Sequence, residues 1–130
     1  MIKKTIKYVD YNGTARSEDF YFNLNKAEVA ELRGELGINI ESSVRKADQN
    51  TLVKILKTLI LSAYGEKSDD GRRFIKNSEI ANDFYQTEAY SELFTELASD
   101  ETAFESFLNG VLPSDITSQI AEATNAAANN

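Results

Sequence analysis

The stretch from Tyr64 to Pro113 is divided into short helical blocks, and this division limits most strongly what the chain can fold into. Apolar residues recur three and four positions apart within each block, as one face of a helix requires. Helix-capping or helix-interrupting residues separate the blocks: Gly65, Gly71, Ser78, Thr87, Asp100 and Gly110. We predict three short helices here, capped by Ser78, by Thr87 and by Ser99 or Asp100. The last of them is expected to end at Gly110.

A longer helix is predicted immediately before this segment, over residues 51–64. Its apolar stripe has the spacing of one helical face and is widened by Val53 and Tyr64. The stripe consists of Leu52, Ile55, Leu56, Leu59, Ile60 and Ala63. Gly65 is expected to close this helix. Leu61 falls among lysines outside the stripe, so it is either a single exposed leucine or part of a contact surface.

Residues 3–23 predict a β-hairpin, because two runs of β-branched and aromatic residues flank Asn12-Gly13. A two-residue type I′ loop would place Lys7 opposite Glu18, which is favourable, but also Ile6 opposite Asp19, which is not. We therefore expect a bulge or a longer loop to reset the register before Phe20.

The first helix is expected to begin at Asn25, which with Glu28 forms an asparagine version of the capping box. Its predicted apolar positions are Ala27, Val29, Leu32 and Leu36, and Gly37 fits its C-terminal cap. Residues 38–50 are less periodic and predict a turn or short helix around Ile40 and Val44.

These elements predict an α+β fold that is mostly α, with an N-terminal β-hairpin packed on a bundle of four to six helices. We expect residues 1–113 to form one globular domain, with the hairpin at 3–23 and the helical part at 25–112. Residues 114–130 end in small polar residues and are expected to be a flexible C-terminal tail.

The composition argues against catalysis, because the chain contains neither histidine nor cysteine. It therefore lacks the usual zinc ligands, a histidine general base and thiolate chemistry. The loop 66–71 matches neither an EF-hand nor a P-loop and is interpreted as a turn. We predict no catalytic, cofactor-binding or metal-binding residue and no enzyme activity. No signal peptide is recognised, and no apolar stretch approaches the ~18 residues of a membrane span, so cytosolic residence is the default expectation.

Charge is distributed unevenly along a chain whose net charge is −7. Residues 1–64 carry ten basic and eight acidic residues, whereas residues 65–130 carry four and thirteen. An acidic C-terminal half disfavours contact with a phosphate backbone, so nucleic-acid binding is not predicted. This charge suits attraction to basic partners, or solubility alone.

Three glutamates, Glu88, Glu92 and Glu96, recur every fourth residue beside an apolar stripe. They form either an acidic ridge that meets a basic partner or a solvated helix face. The adjacent Phe84 and Tyr85 point to two sides of one helix, so one ring is a candidate for a protein contact. The residues predicted to bind a partner are Leu61, Phe74, Phe84, Tyr85, Glu88, Glu92 and Glu96.

Three motifs stand out in the second half: Tyr64-Gly65-Glu66-Lys67-Ser68, Arg73-Phe74-Ile75-Lys76 and the eight residues 86–93, QTEAYSEL. With these motifs in this order, the chain resembles the tail assembly chaperones of siphophages that infect Gram-positive bacteria. Those proteins are the counterparts of the frameshifted chaperone pair of lambda-like phages. The resemblance covers nearly the whole chain and is most specific from residue 63 to residue 113.

The resemblance implies a non-catalytic chaperone that binds the tape measure protein and keeps it soluble while the tail tube polymerises. It also implies residence in the host cytoplasm, absence from the mature virion and no cofactor. A C-terminally extended form, made by frameshifting, would recruit tail tube protein, and a homo-oligomer is left open. The alternatives are another phage morphogenesis protein, such as a head–tail adaptor or tail terminator, and an acidic regulator that binds a host protein.

Overall fold

The computed structural model describes residues 1–36 and 48–113, with side chains described for 1–34 and 48–113. Its elements follow the chain in the order β1 (Ile2–Val9), β2 (Ala15–Phe22), α1 (Lys26–Leu36), α2 (Gln49–Ala63), β3 (Tyr64–Lys67), β4 (Phe74–Ile75), α3 (Ser78–Tyr85), α4 (Glu88–Ser99) and α5 (Glu101–Val111). The predicted fold class, α+β and mostly α with an N-terminal hairpin, is confirmed. The described part contains five helices and one antiparallel sheet in the order β1-β2-β3-β4.

The hairpin has a three-residue loop, Tyr11–Gly13, so the two-residue loop is wrong and the longer loop is confirmed. Gly13 has a φ of +79° and donates its N–H to the Asp10 carbonyl at 2.9 Å. This is the usual conformation of a type I turn closed by a left-handed glycine. The ladder then runs without a bulge and pairs Ile6 with Glu18 and Lys7 with Ser17.

The third strand was missed in the sequence because Gly65 fits a helix cap. Helix α2 instead passes directly into β3, since Tyr64 already has an extended backbone with φ −67° and ψ 140°. A Cβ at Gly65 would lie 2.7 Å from Cε2 of Phe74 and 2.9 Å from the Ile75 carbonyl oxygen. Glycine is therefore needed at this position because the neighbouring strand approaches so closely.

Side-chain caps begin the helices, mostly where the sequence predicts them. Asn25 and Glu28 form the predicted capping box, with N···O distances of 3.0 and 2.8 Å. Thr87 and Asp100 cap α4 and α5 as predicted. Asn77 rather than Ser78 caps α3, and Asp48, which was not predicted, caps α2.

Gly110 does not end α5, which continues to Val111. A Cβ at Gly110 would lie 2.7 Å from Cδ1 of Ile2, so the glycine lets the last helix approach the first strand. The N–H of Leu24 also donates to the Val111 carbonyl at 2.9 Å. The two ends of the described chain are therefore packed together.

The core lies between one face of the sheet and the helices, including α1, whose predicted apolar residues Val29 and Leu32 are buried. Most of the predicted stripe of α2 is buried, and Leu52 is half-buried. Val53 was assigned to that stripe but is 44% exposed, and Ala27 of α1 is also exposed. The side chain of Leu36, the cap at Gly37, the turn expected around Ile40 and Val44 and the tail from residue 114 lie outside the described residues.

An aromatic cluster occupies the centre of this core. The Phe22 ring lies 5.7 Å from Tyr64, 5.8 Å from Phe84 and 5.3 Å from Phe107, measured between centroids. Tyr64 and Phe84 stack at 4.4 Å with an interplanar angle of 17°. Offset stacked and edge-to-face pairs of this kind contribute about 0.5–1.5 kcal/mol beyond the area they bury.

Lys76 connects three elements by a single ammonium group. Its Nζ donates to the Asn23 carbonyl at 2.6 Å, to the Ser62 carbonyl at 2.7 Å and to Oε2 of Glu28 at 2.7 Å. The three acceptors lie after β2, in the last turn of α2 and in α1. A lysine ammonium has three protons, so every donor of this half-buried group is used.

Candidate functional site

The three glutamates of α4 lie along β1, and two of them already have partners within the molecule. Nζ of Lys4 pairs with Oε1 of Glu96 at 3.2 Å. The Glu88 carboxylate interacts with the Tyr11 hydroxyl and raises the pKa of Tyr11. This acidic ridge therefore meets a basic and polar partner, but that partner is the hairpin of the same chain.

Glu92 is the member of the ridge that borders an open groove between α4 and the hairpin. The groove has a volume of about 490 Å³ and is lined by Lys7, Tyr8, Val9, Ala15, Arg16, Ser17 and Glu92. Arg16 pairs with Asp10 at 2.5 Å, and this pairing lowers the pKa of Asp10. Unlike Glu96, Glu92 forms no ion pair within the described part of the chain.

A second surface, here called the α2–α3 patch, consists of Val53, Lys54, Lys57, Leu61 and Tyr85. Val53 is 44% and Tyr85 41% exposed; among the described residues, the other exposed large apolar side chains are Met1, Val9 and Tyr11 in the hairpin region. Nζ of Lys57 lies 4.3 Å from the centroid of the Tyr85 ring, which joins the two helices at this surface. Leu61 is half-buried and packs at the edge of the core.

Phe84 and Tyr85 point to two different sides of α3, as their adjacency predicts. Phe84 is 2% exposed within the aromatic cluster, so a partner would reach it only if α3 moved. Tyr85 lies at the surface, and its ring meets Tyr90 edge-on at 5.0 Å. Phe74 is half-buried in β4, with its ring against Gly65.

The structure brings Leu61 and Tyr85 to one surface and Glu88, Glu92 and Glu96 to another. Sequence reasoning missed the exposed Val53 and the contact between Lys57 and Tyr85. The position of Val53 directly before Lys54, at the edge of the apolar stripe, was the available signal. The cation–π contact joins separate helices and leaves no local pattern.

Among the described residues, no three acidic side chains are grouped as metal ligands, and no helix is long and apolar enough to cross a membrane. What the two surfaces offer is exposed apolar area beside charged groups, which suits recognition of another protein. Fold and surfaces together thus define a small α+β domain suited to protein recognition.

Comparison with known families identifies this class more closely. A family model described as phage tail assembly chaperone matches residues 1–130, so the chain belongs to the phage tail assembly chaperones. The resemblance recognised in the sequence motifs is thereby confirmed. No curated protein and no solved structure matches the chain.

Proposed function

We propose that this chain binds the tape measure protein of its phage and keeps it soluble while the tail tube polymerises. The observation that carries the proposal is the family match over the full length of 130 residues. Assembly in a phage tail requires protein partners, and a very long helical client is the one whose apolar faces most need shielding. The proposed function is protein binding, without catalysis or a cofactor.

Physical features of the domain support this function. A net charge of −7 makes copies bound along one client repel each other, which opposes aggregation of the complex. Of the residues predicted to contact a partner, Tyr85, Glu92 and Glu96 are exposed, and Glu96 already pairs with Lys4. Tyr85 and the half-buried Leu61 lie on the α2–α3 patch, and Glu92 lies at the hairpin groove, where a helix can dock by its apolar face.

The proposal includes the cellular setting of such a chaperone. It would act in the host cytoplasm, leave before the virion is complete and bind no nucleic acid. A C-terminally extended form, if the phage makes one, would add the contact with tail tube protein.

Co-expression of this chain with the tape measure protein of its phage tests the proposal. We expect the tape measure protein to be soluble and to co-purify only when both chains are present. Tyr85→Ala and Glu92→Lys would then show which surface the client uses. A tape measure protein that stays insoluble, and does not co-purify, would contradict the proposal for this form of the chain.

The main alternative, a head–tail adaptor or tail terminator, stays in the finished particle. Mass spectrometry of purified virions separates the two functions. We expect no peptide of this chain at the level of the structural proteins. Stoichiometric recovery with the tail would favour the virion component.

A further inference from the structure

We infer that the α2–α3 patch is the docking site for an acidic amphipathic helix of the client, and that Lys57 moves from the Tyr85 ring to a client carboxylate when this helix binds. The inference rests on the proposed function, and it adds the site, the chemistry of the partner and the group that moves.

The side of the patch that α2 provides is long enough to contact a helix. Val53, Lys57 and Leu61 are spaced four residues apart on α2, so they follow one face of the helix for about 12 Å. This length corresponds to roughly two turns of a partner helix. Tyr85 stands beside this stripe on α3, at the position of Lys57.

The orientation of the Tyr85 ring is fixed in the free protein by its contact with Tyr90. Its edge-on contact with Tyr90, at 5.0 Å between centroids, fixes it from the core side, since Tyr90 is 9% exposed. An aromatic ring with a fixed orientation loses little conformational freedom on binding, which is why such rings dominate binding surfaces.

The charge of the patch selects an acidic partner. The ion pairs of the described residues involve Lys3, Lys4, Arg16 and Lys76, and none of them involves Lys54 or Lys57. Both lysines lie in α2, which contains no acidic residue, although the carboxylate of its N-cap Asp48 attracts Lys54. In a chain of net charge −7, this is a local basic surface beside exposed apolar groups. A helix with carboxylates beside its apolar face complements both properties.

Lys57 has two alternative partners in this scheme. In the free protein its ammonium covers the Tyr85 ring, at a distance typical of a cation–π contact. Such contacts are weak where solvent reaches them, so a carboxylate can replace the ring as the partner of the ammonium. The ring is then uncovered for an apolar side chain of the same incoming helix.

Two synthetic helical peptides with one apolar face, flanked by glutamates in one and by lysines in the other, test the inference by fluorescence anisotropy with the full chain. We expect the acidic peptide to bind more tightly. Lys57→Glu is expected to weaken it by about tenfold, or ~1.4 kcal/mol, and Tyr85→Ala by at least about fivefold. Lys57→Met keeps the aliphatic stem over the ring and should reduce the difference between the peptides.

Lys67→Glu and Tyr21→Ala are the matched controls, because these two residues form a cation–π contact of the same kind on the sheet, with Nζ of Lys67 4.5 Å from the centroid of the Tyr21 ring. Neither should change the affinity of either peptide. Thermal unfolding of each variant, followed by circular dichroism, verifies that it is folded. The inference is overturned if both peptides bind equally to the wild-type chain, or if Lys67→Glu weakens binding of the acidic peptide as much as Lys57→Glu does. It is also overturned if the patch variants have no effect, or if light scattering shows that a second copy occupies the patch.

Co-expression distinguishes failure of this inference from failure of the proposed function. If the tape measure protein is solubilised equally by the wild-type chain, Lys57→Glu and Tyr85→Ala, the docking site is wrong and the chaperone function stands. If the wild-type chain does not solubilise it, the proposed function fails and the identity of the partner inferred here fails with it.

Discussion

The α4 ridge and the α2–α3 patch are both charged helix surfaces, yet the protein uses their charges in opposite ways. Two of the three glutamates on α4 are engaged by Lys4 and Tyr11 of the hairpin. On α2, Lys54 has no ion pair among the described residues, and the ammonium of Lys57 rests on an aromatic ring. A regular charge spacing therefore does not reveal whether its partner is internal or external, because the internal partner can come from a distant part of the chain.

The largest effect is expected from removing the core that supports the patch. Phe84→Ala deletes a ring that stacks on Tyr64 at 4.4 Å, and should lower the free energy of unfolding by about 3–5 kcal/mol. Tyr85→Ala, one residue away, should cost about 1 kcal/mol or less, since that ring is half-exposed. Urea unfolding of both variants measures this difference, and equal losses would show that Tyr85 belongs to the core.

A second prediction compares two lysines. Lys76→Met leaves the Glu28 carboxylate and two carbonyl oxygens without their donor, and should lower the free energy of unfolding by about 1–3 kcal/mol. Lys57→Met removes one exposed cation–π contact and should cost no more than about 1 kcal/mol. Chemical denaturation under identical conditions tests this order. If Lys57→Met were the more destabilising change, Lys57 would be a structural residue and not a free binding group.

Alkaline pH should lower the free energy of unfolding through ionisation of Tyr90, which lies on the core side of the patch. Burial, and to a smaller extent the neighbouring Tyr85, raises the pKa of Tyr90 to about 12. Because the unfolded tyrosine ionises near pH ~10, this contribution to stability is complete below that pH. It is lost as pH rises through the folded pKa. The free energy of unfolding should therefore fall between these values, and Tyr90→Phe should reduce the slope. An unchanged slope in Tyr90→Phe would mean that Tyr90 titrates as it does in the unfolded chain.

The smallest effect is expected at the ridge. Glu96→Gln breaks a solvent-exposed ion pair with Lys4 and should cost about 0.2–1 kcal/mol, less at high salt. Glu92→Gln, which has no such pair among the described residues, should leave stability unchanged. A double-mutant cycle with Lys4→Met isolates the pair, and a coupling energy near zero would show that the hairpin does not neutralise Glu96.

The features that depend on local residue pattern could be predicted from the sequence. The capping box at Asn25, the caps at Thr87 and Asp100 and the buried face of α2 all follow from spacing and side-chain chemistry. The function of Gly65 and Gly110 could not be predicted in this way. Both residues resemble helix terminators locally, and only the approach of Phe74 and of Ile2 explains them.

In the candidate site, too, the features that depend on local pattern could be predicted, and those that depend on distant contacts could not. The different orientations of Phe84 and Tyr85 follow from the angle between adjacent helical residues, and the structure shows one ring buried and the other exposed. The hairpin contacts that occupy Glu88 and Glu96 link residues more than 70 positions apart. No periodicity along the chain encodes such contacts, because they depend on how the hairpin is laid over α4.

The contact of Ile2 with Gly110 also determines when the protein can finish folding. The hairpin is synthesised before α5, the helix that covers its first residue. Until α5 has been synthesised, Phe22 lacks the Phe107 ring and Leu24 lacks the Val111 carbonyl. Contacts of such long sequence separation form late and slowly, because the intervening chain must be ordered first. Translation past residue 111 therefore sets the earliest moment at which a newly made copy can present its complete surface.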